Sequence, residues 1–353
     1  MDTIHSLTEL FHHAGSQYQI FDLGRRVQTI DAKQFQAVEA GQQPYPFPLQ
    51  RHAHLAIAFW NSPQSKQDTI QPWIWFLRLP LDERSLLVQA DMGNFIKFVI
   101  EATGANLQAE PSKEQQDKLA SNPYIFTPKD DKMALFTSQL RVNLQQASSQ
   151  YYEHAQHYLT GDLGWNNWQT VGIQGFADVC CRLHQDQNSV LVRKALLQLP
   201  SEPLYAILGC LEHCNITEKL ALRVKELLIK ESQQSNPDLF LMSAQIRALA
   251  GADKKCLQSA ITLILSSQRL SHPEILIAIV GRCWPALQDQ TIATTFLLRL
   301  AQTGDQILFN QIFTDLVMQP ILRMTMLYII HSEADPKLVS ALESLQNNAK
   351  QRQ

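Results

Sequence analysis

Glu153-His154-Ala-Gln-His157 carries the side chains in this chain best suited to hold a metal ion. On a helix, His154 and His157 lie three residues apart and Glu153 and His157 four, so either pair can face one ion. A stable site needs further ligands, and the sequence identifies none. An amphipathic helix carrying polar aromatics gives the same pattern. Cys210-Leu-Glu-His213-Cys214 sets two thiols one helical turn apart. That spacing suits thiolate metal ligands and equally suits two small core residues. The adjacent Cys180 and Cys181 point in two directions from one helix. His52-Ala-His54 puts two imidazoles on one face of a strand, again without a third ligand.

A second chemistry is anion binding. Phe21-Asp-Leu-Gly-Arg25-Arg26 joins a carboxylate, a glycine and two guanidiniums at a turn. Paired arginines can fork a carboxylate or phosphate, and a tight turn closed by a salt bridge uses the same residues. Trp60, Trp73 and Trp75 cluster on two expected strands, with Trp73 and Trp75 on one face. They suit a ligand groove or an apolar core. The phosphate-loop, dinucleotide, serine-hydrolase and zincin motifs are all absent, and no cofactor is expected.

The elements that must position these residues fall into two kinds. Thr3 to His13 reads as a short helix stopped near Gly15, and Tyr18–Leu23 and Arg26–Ile30 as a hairpin. Asp31 caps a helix over 32–40, ended by Gly41. Two apolar, aromatic runs, His54–Trp60 and Trp73–Leu79, read as strands joined by the polar stretch 61–71. Leu87, Met92, Phe95, Ile96 and Val99 recur at helical spacing, with Asp82 as cap and Gly104 as stop. This is a small antiparallel sheet backed by helices, an α+β domain over 1–110.

The stretch 105–131 is polar and proline-bearing, with a short helix expected over 112–120. From 129 to 159 no Gly or Pro interrupts an apolar face, which predicts one helix about 45 Å long at 1.5 Å per residue. Residues 111–164 thus read as a linker and a long connecting helix.

Beyond Gly164 helix follows helix, and every second start carries a polar cap and a proline. Ser201-Glu-Pro203, Ser235-Asn-Pro237, Ser271-His-Pro273 and Ala334-Asp-Pro336 share that signal, with Gly304-Asp305 in the remaining slot. The repeat is about 35 residues. Each unit is a helical hairpin that cannot bury its apolar face alone, so 165–353 is expected to stack as a HEAT-like α-solenoid. The chain as a whole is then mainly α with a small α+β N-terminal domain.

Composition narrows the functional classes. Hydrophobic residues make up 45% and charged residues 18%, which excludes a wholly disordered chain. Basic and acidic residues are balanced at 22 each after residue 110, which argues against nucleic acid as a partner. Gln is abundant at 39 residues, and a polar, weakly charged helical surface suits protein contacts better than phosphate. MDTIHSLTEL has neither the basic nor the apolar region of a secretory signal, and no apolar run reaches the roughly 18 residues needed to cross a bilayer. The six cysteines lack zinc-ribbon spacing, so reduced thiols in a cytoplasmic protein are expected.

Taken whole, the sequence resembles the gammaproteobacterial family called domain of unknown function 3549. YQIFDLGRRVQTI (18–30), PYPFPLQRHAHLAIAFWN (44–61), PWIWFLRLPLDERSLL (72–87), SQYYEHAQHYLTGDLGWNNWQTVG (149–172) and LYAILGCLEHC (204–214) carry the resemblance. It implies a bacterial cytosolic protein and brings no catalytic residues with it. The residues themselves favour a non-enzymatic scaffold or adaptor with a protein partner. The alternative is an enzyme with a metal or anion site at the domain junction, built from Glu153, His154, His157, Arg25 and Arg26.

Overall fold

The computed structural model describes residues 4–61, 70–103, 113–114, 121–332 and 335–350. The chain divides into two compact units, Met1–Lys129 with Met318–Pro320, and Asp130–Val317 with Ile321–Gln353.

The first unit mixes helix and sheet. Its order is α1 (Leu7–His13), β1 (Ser16–Asp22), β2 (Gln28–Ile30), α2 (Ala32–Glu39), β3 (His52–Asn61), β4 (Trp73–Pro80) and α3 (Gln89–Thr103). The strands lie in the order β2-β1-β3-β4, and every pair is antiparallel. Alternation along β3 and β4 sends Leu55, Ile57, Phe59, Trp75 and Leu77 into one core with Phe11, Phe35 and Phe95 from the helices. Local caps start the first two helices. Ser6 Oγ accepts from Glu9 N at 3.0 Å, and Asp31 Oδ1 accepts from Lys33 N at 2.9 Å. Asp82 does not cap α3. It closes the turn before it, accepting from Arg84 N and Leu86 N at 2.8 Å each. The connection 62–69 and most of the short helix expected over 112–120 lie outside the described residues.

The second unit is helical. Its order is α4 (Asp130–Asn143), α5 (Tyr152–Thr160), α6 (Ile173–Cys181), α7 (Asn188–Ala195), α8 (Ser201–Leu211), α9 (Glu218–Ser232), α10 (Leu239–Ala248), α11 (Lys254–Leu265), α12 (Pro273–Arg282), α13 (Gln290–Ala301), α14 (Gln306–Met318), α15 (Arg323–Ile330) and α16 (Pro336–Lys350). Trp165–Thr170, where the first of the stacked helices is expected to begin, is a separate 3-10 turn ahead of α6. Helices two apart in the chain pack together, beside contacts between consecutive ones. α4, α6, α8, α10 and α12 are successive neighbours, as are α5, α7, α9, α11, α13 and α15. No helix among the described residues is long and apolar enough to cross a membrane.

The helix expected over 129–159 is two helices, α4 and α5, and the reason lies in α6. Asp178 is buried there and accepts from Ser138 Oγ at 2.9 Å and from Ser149 N at 3.0 Å. The second bond takes an amide from the connection between α4 and α5. Gly175 lets α6 approach the start of α5, since a Cβ there would stand 2.8 Å from Tyr151 O and 2.9 Å from Ala155 Cβ. Gln145 turns the chain with a φ of 55°.

The caps differ in detail from the sequence reading. Asp238, not Ser235, caps α10, accepting from Phe240 N and Leu241 N at 3.0 Å. His272 precedes α12, where Pro273 takes the first helical position.

Candidate functional site

The side chains singled out by type and spacing sit as follows. Glu153, His154 and His157 lie on α5 in the second unit, exposed. His154 Nε2 bonds Thr170 Oγ1 at 3.1 Å, and His157 Nε2 lies 3.6 Å from Asp162 Oδ2. Cys181 and Cys214 approach to 4.0 Å between sulfurs. No group of three or more His, Cys, Asp or Glu among the described residues could hold a metal ion.

In the first unit, Asp22 gathers the turn after β1. Its carboxylate accepts from the backbone N–H of Gly24, Arg25 and Arg26 at 3.0 to 3.3 Å and from Tyr45 Oη at 2.8 Å. Arg25 is fully buried, and its Nε donates to Pro48 O at 2.9 Å; Arg26 is half-buried. Trp73 and Trp75 flank Phe59, with ring centroids 5.8 and 4.6 Å away, on the core face of the sheet. Trp60 follows Phe59 in β3 and so takes the opposite face.

A different cluster, in the second unit, joins charge, burial and open space. Glu212 closes the C-terminal end of α8 and is buried. Arg247 from α10 donates through Nε to Glu212 Oε2 at 2.9 Å, and Arg282 from α12 through Nε to Glu212 Oε1 at 2.8 Å. His213 Nε2 stands 3.2 Å from the same carboxylate. Arg247 Nη1 then donates to Ser243 Oγ at 2.7 Å, and Ser243 Oγ to Glu274 Oε1 at 2.9 Å. One continuous polar chain therefore links three helices.

The charges explain one another. A carboxylate at a helix C-terminus meets the negative end of the macrodipole. Burial also pushes Glu212 upward, but the His213 hydrogen bond and the charges of Arg282 and Arg247 outweigh it and hold the acid well below the usual carboxylate range. Burial pushes His213 down to about 4, so it is a neutral donor at pH 7.

This chain of bonds borders a groove of about 490 Å³ lined by Asp131, Tyr205, Gly209, Glu212, Arg247, Glu274, Ile277, Ala278, Gly281 and Arg282. A Cβ on Gly209 or Gly281 would meet nothing within 4 Å. With two guanidiniums, three carboxylates, exposed apolar surface and room above two helices, the groove carries polar and apolar groups of the kind that bind a ligand.

A family model described as protein of unknown function (DUF3549) matches residues 2–346. The chain belongs to that family. No curated protein and no solved structure matched it. Membership of DUF3549 brings no activity with it, so function has to be argued from the groove.

The groove's residues fall in no short motif, although the sequence carries signals for them. Glu212, Arg247 and Arg282 are spaced 35 residues apart, the spacing expected of successive helical hairpins. Gly209 and Gly281 interrupt apolar helical patterns without ending them.

Proposed function

We propose that this DUF3549 protein is a non-enzymatic interaction scaffold of the gammaproteobacterial cytoplasm, and that its second unit is a HEAT-like α-solenoid presenting one face to a protein partner. The observation that carries the reading is the polar chain of Arg247 and Arg282 on Glu212, whose members stand 35 residues apart and border an open groove. The two rows of alternate helices support the solenoid. So does a recurring bond from one repeat to the one before it. Arg269 Nη2 donates to Ser232 O, the last carbonyl of α9, at 2.8 Å, and Arg299 Nε to Leu265 O, the last of α11, at 2.8 Å. Each places a cation on a helix C-terminus whose carbonyls have no partner within the helix. Stacked repeats of this kind offer extended surfaces for peptides and proteins. The α+β unit adds a second contact surface. The balance of basic and acidic residues disfavours nucleic acid.

The test is affinity purification of the chromosomally tagged full chain from its host, with quantitative mass spectrometry. The wild type is compared with Gly209→Leu/Gly281→Leu. A near-stoichiometric protein recovered with the wild type and lost from the variant is the expected result. Recovery of no protein above an untagged control overturns the scaffold reading.

A further inference from the structure

We infer that the groove across α8, α10 and α12 takes an extended peptide segment. Its main chain lies over Gly209 and Gly281 and is read by the guanidiniums of Arg247 and Arg282 and the carboxylate of Glu274. This rests on the scaffold reading above and adds the chemistry of the occupant.

Three observations converge. The first is room. The groove, about 490 Å³, falls within the range of ligand clefts, about 300–1,000 Å³. A glycine inside a helix destabilises it relative to alanine. Among the described residues nothing requires the missing methyl at either position, since a Cβ would meet no atom within 4 Å. Gly93 in α3 is the only other helix-interior glycine of this kind among the described residues, and it lies in the other unit. The absent side chains leave two places where a second backbone can come close.

The second observation is preorganisation. Both arginines spend Nε on the buried Glu212, and their Nη1 atoms go to Ser243 Oγ and Gly281 O. Among the described residues no hydrogen bond engages Nη2 of either arginine. Two donors are thus held in place by an ionised carboxylate and remain available, and a guanidinium already fixed loses less entropy when it binds.

The third is charge. Asp131, Glu212 and Glu274 stand against Arg247 and Arg282, leaving the lining within one charge of neutral. A polyanion meets Asp131 and Glu274, and a polycation meets the two guanidiniums. A peptide main chain carries no net charge and supplies both what the arginines need, a carbonyl oxygen, and what Glu274 needs, an N–H. Ile277, 49% exposed, and Ala278 offer apolar contact to a peptide side chain.

The probe is a phage-displayed library of random twelve-residue peptides selected on the full-length protein. Enriched peptides are resynthesised, with and without N-methylation of their central amides, and titrated calorimetrically. Leu at either glycine fills the groove and favours helix, so both variants keep their fold, which thermal melting checks. Expected is at least about a tenfold loss of affinity for Gly209→Leu and for Gly281→Leu, and a comparable loss on N-methylation. Peptides that bind both variants like the wild type, or that tolerate N-methylation, overturn the inference. So does a selection that enriches no peptide. If the inference fails while the purification above still yields a partner lost from the double variant, the scaffold reading stands and the occupant is a folded surface. If that partner is absent as well, both fall.

Discussion

Glu39 and Glu212 are both buried carboxylates, one in each unit, and their surroundings push them in opposite directions. Glu39, at the end of α2, accepts from Leu7 N at 2.8 Å and Thr8 N at 3.3 Å, at the start of α1. No cation among the described residues pairs with it. Burial wins over these hydrogen bonds and raises it to about 7. Glu212 lies just as deep but has two guanidiniums and a neutral imidazole on it, and it stays ionised far into acid. Dipoles alone do not replace the water a carboxylate loses, whereas formal charges do. In the second unit those charges come from helices 35 and 70 residues further along the chain, so the same bonds that keep Glu212 ionised tie three helices together.

The contrast breaks most visibly at Glu212 itself. Glu212→Ala strands two half-buried arginines beside a neutral histidine. A loss of about 3–5 kcal/mol is expected in urea unfolding of the second unit. A loss below about 1 kcal/mol would mean that the chain of bonds contributes packing alone.

Acidity separates the two carboxylates next. Glu39 binds its proton more tightly folded than unfolded, so its contribution is complete below the unfolded value near 4.5 and is lost as pH rises through about 7. The loss is at most about 3 kcal/mol, and Glu39→Gln flattens it. Glu212 runs the other way. Its contribution is present above the ordinary glutamate range and is lost as pH falls below it. Hydrogen exchange at the Leu7 and Thr8 amides follows the first, and exchange in α8 and α10 follows the second. Parallel pH profiles in the two places would contradict the assignment.

Glycines sharpen the same comparison at smaller scale. Gly175→Ala forces a methyl against Tyr151 O and Ala155 Cβ, and a loss of about 1–3 kcal/mol is expected. Gly209→Ala meets no atom and gains helix propensity, so thermal melting is expected to show a gain of about 0.5–1 kcal/mol.

What could be read from the sequence was local. Asp31 as a cap, the strands around His54–Trp60 and Trp73–Leu79, and the helix starts near Pro203, Pro237, Pro273 and Pro336 all follow from residues within a few positions of one another. What escaped was set at a distance. The run from 129 to 159 has helical periodicity throughout, and it is cut because Asp178 and Gly175 of another helix engage the connection. Asp82 resembles a cap, yet the amides in reach are those of Arg84 and Leu86. The Cys210–Cys214 pair drew attention for its thiols, while the glutamate between them is the residue on which two other helices converge. Its partners stand 35 and 70 residues away, beyond the reach of any short motif.

The central claim is that the groove on α8, α10 and α12 is where the protein meets its partner, and in-cell photocrosslinking tests it most directly. A benzophenone amino acid is placed at Ile277, inside the groove and 49% exposed, and in a separate strain at Leu222, on α9 and 45% exposed. A discrete crosslinked species from position 277, absent from 222 and lost when Gly209→Leu/Gly281→Leu is combined with it, is the result expected. Crosslinking from 222 with none from 277 would contradict the claim.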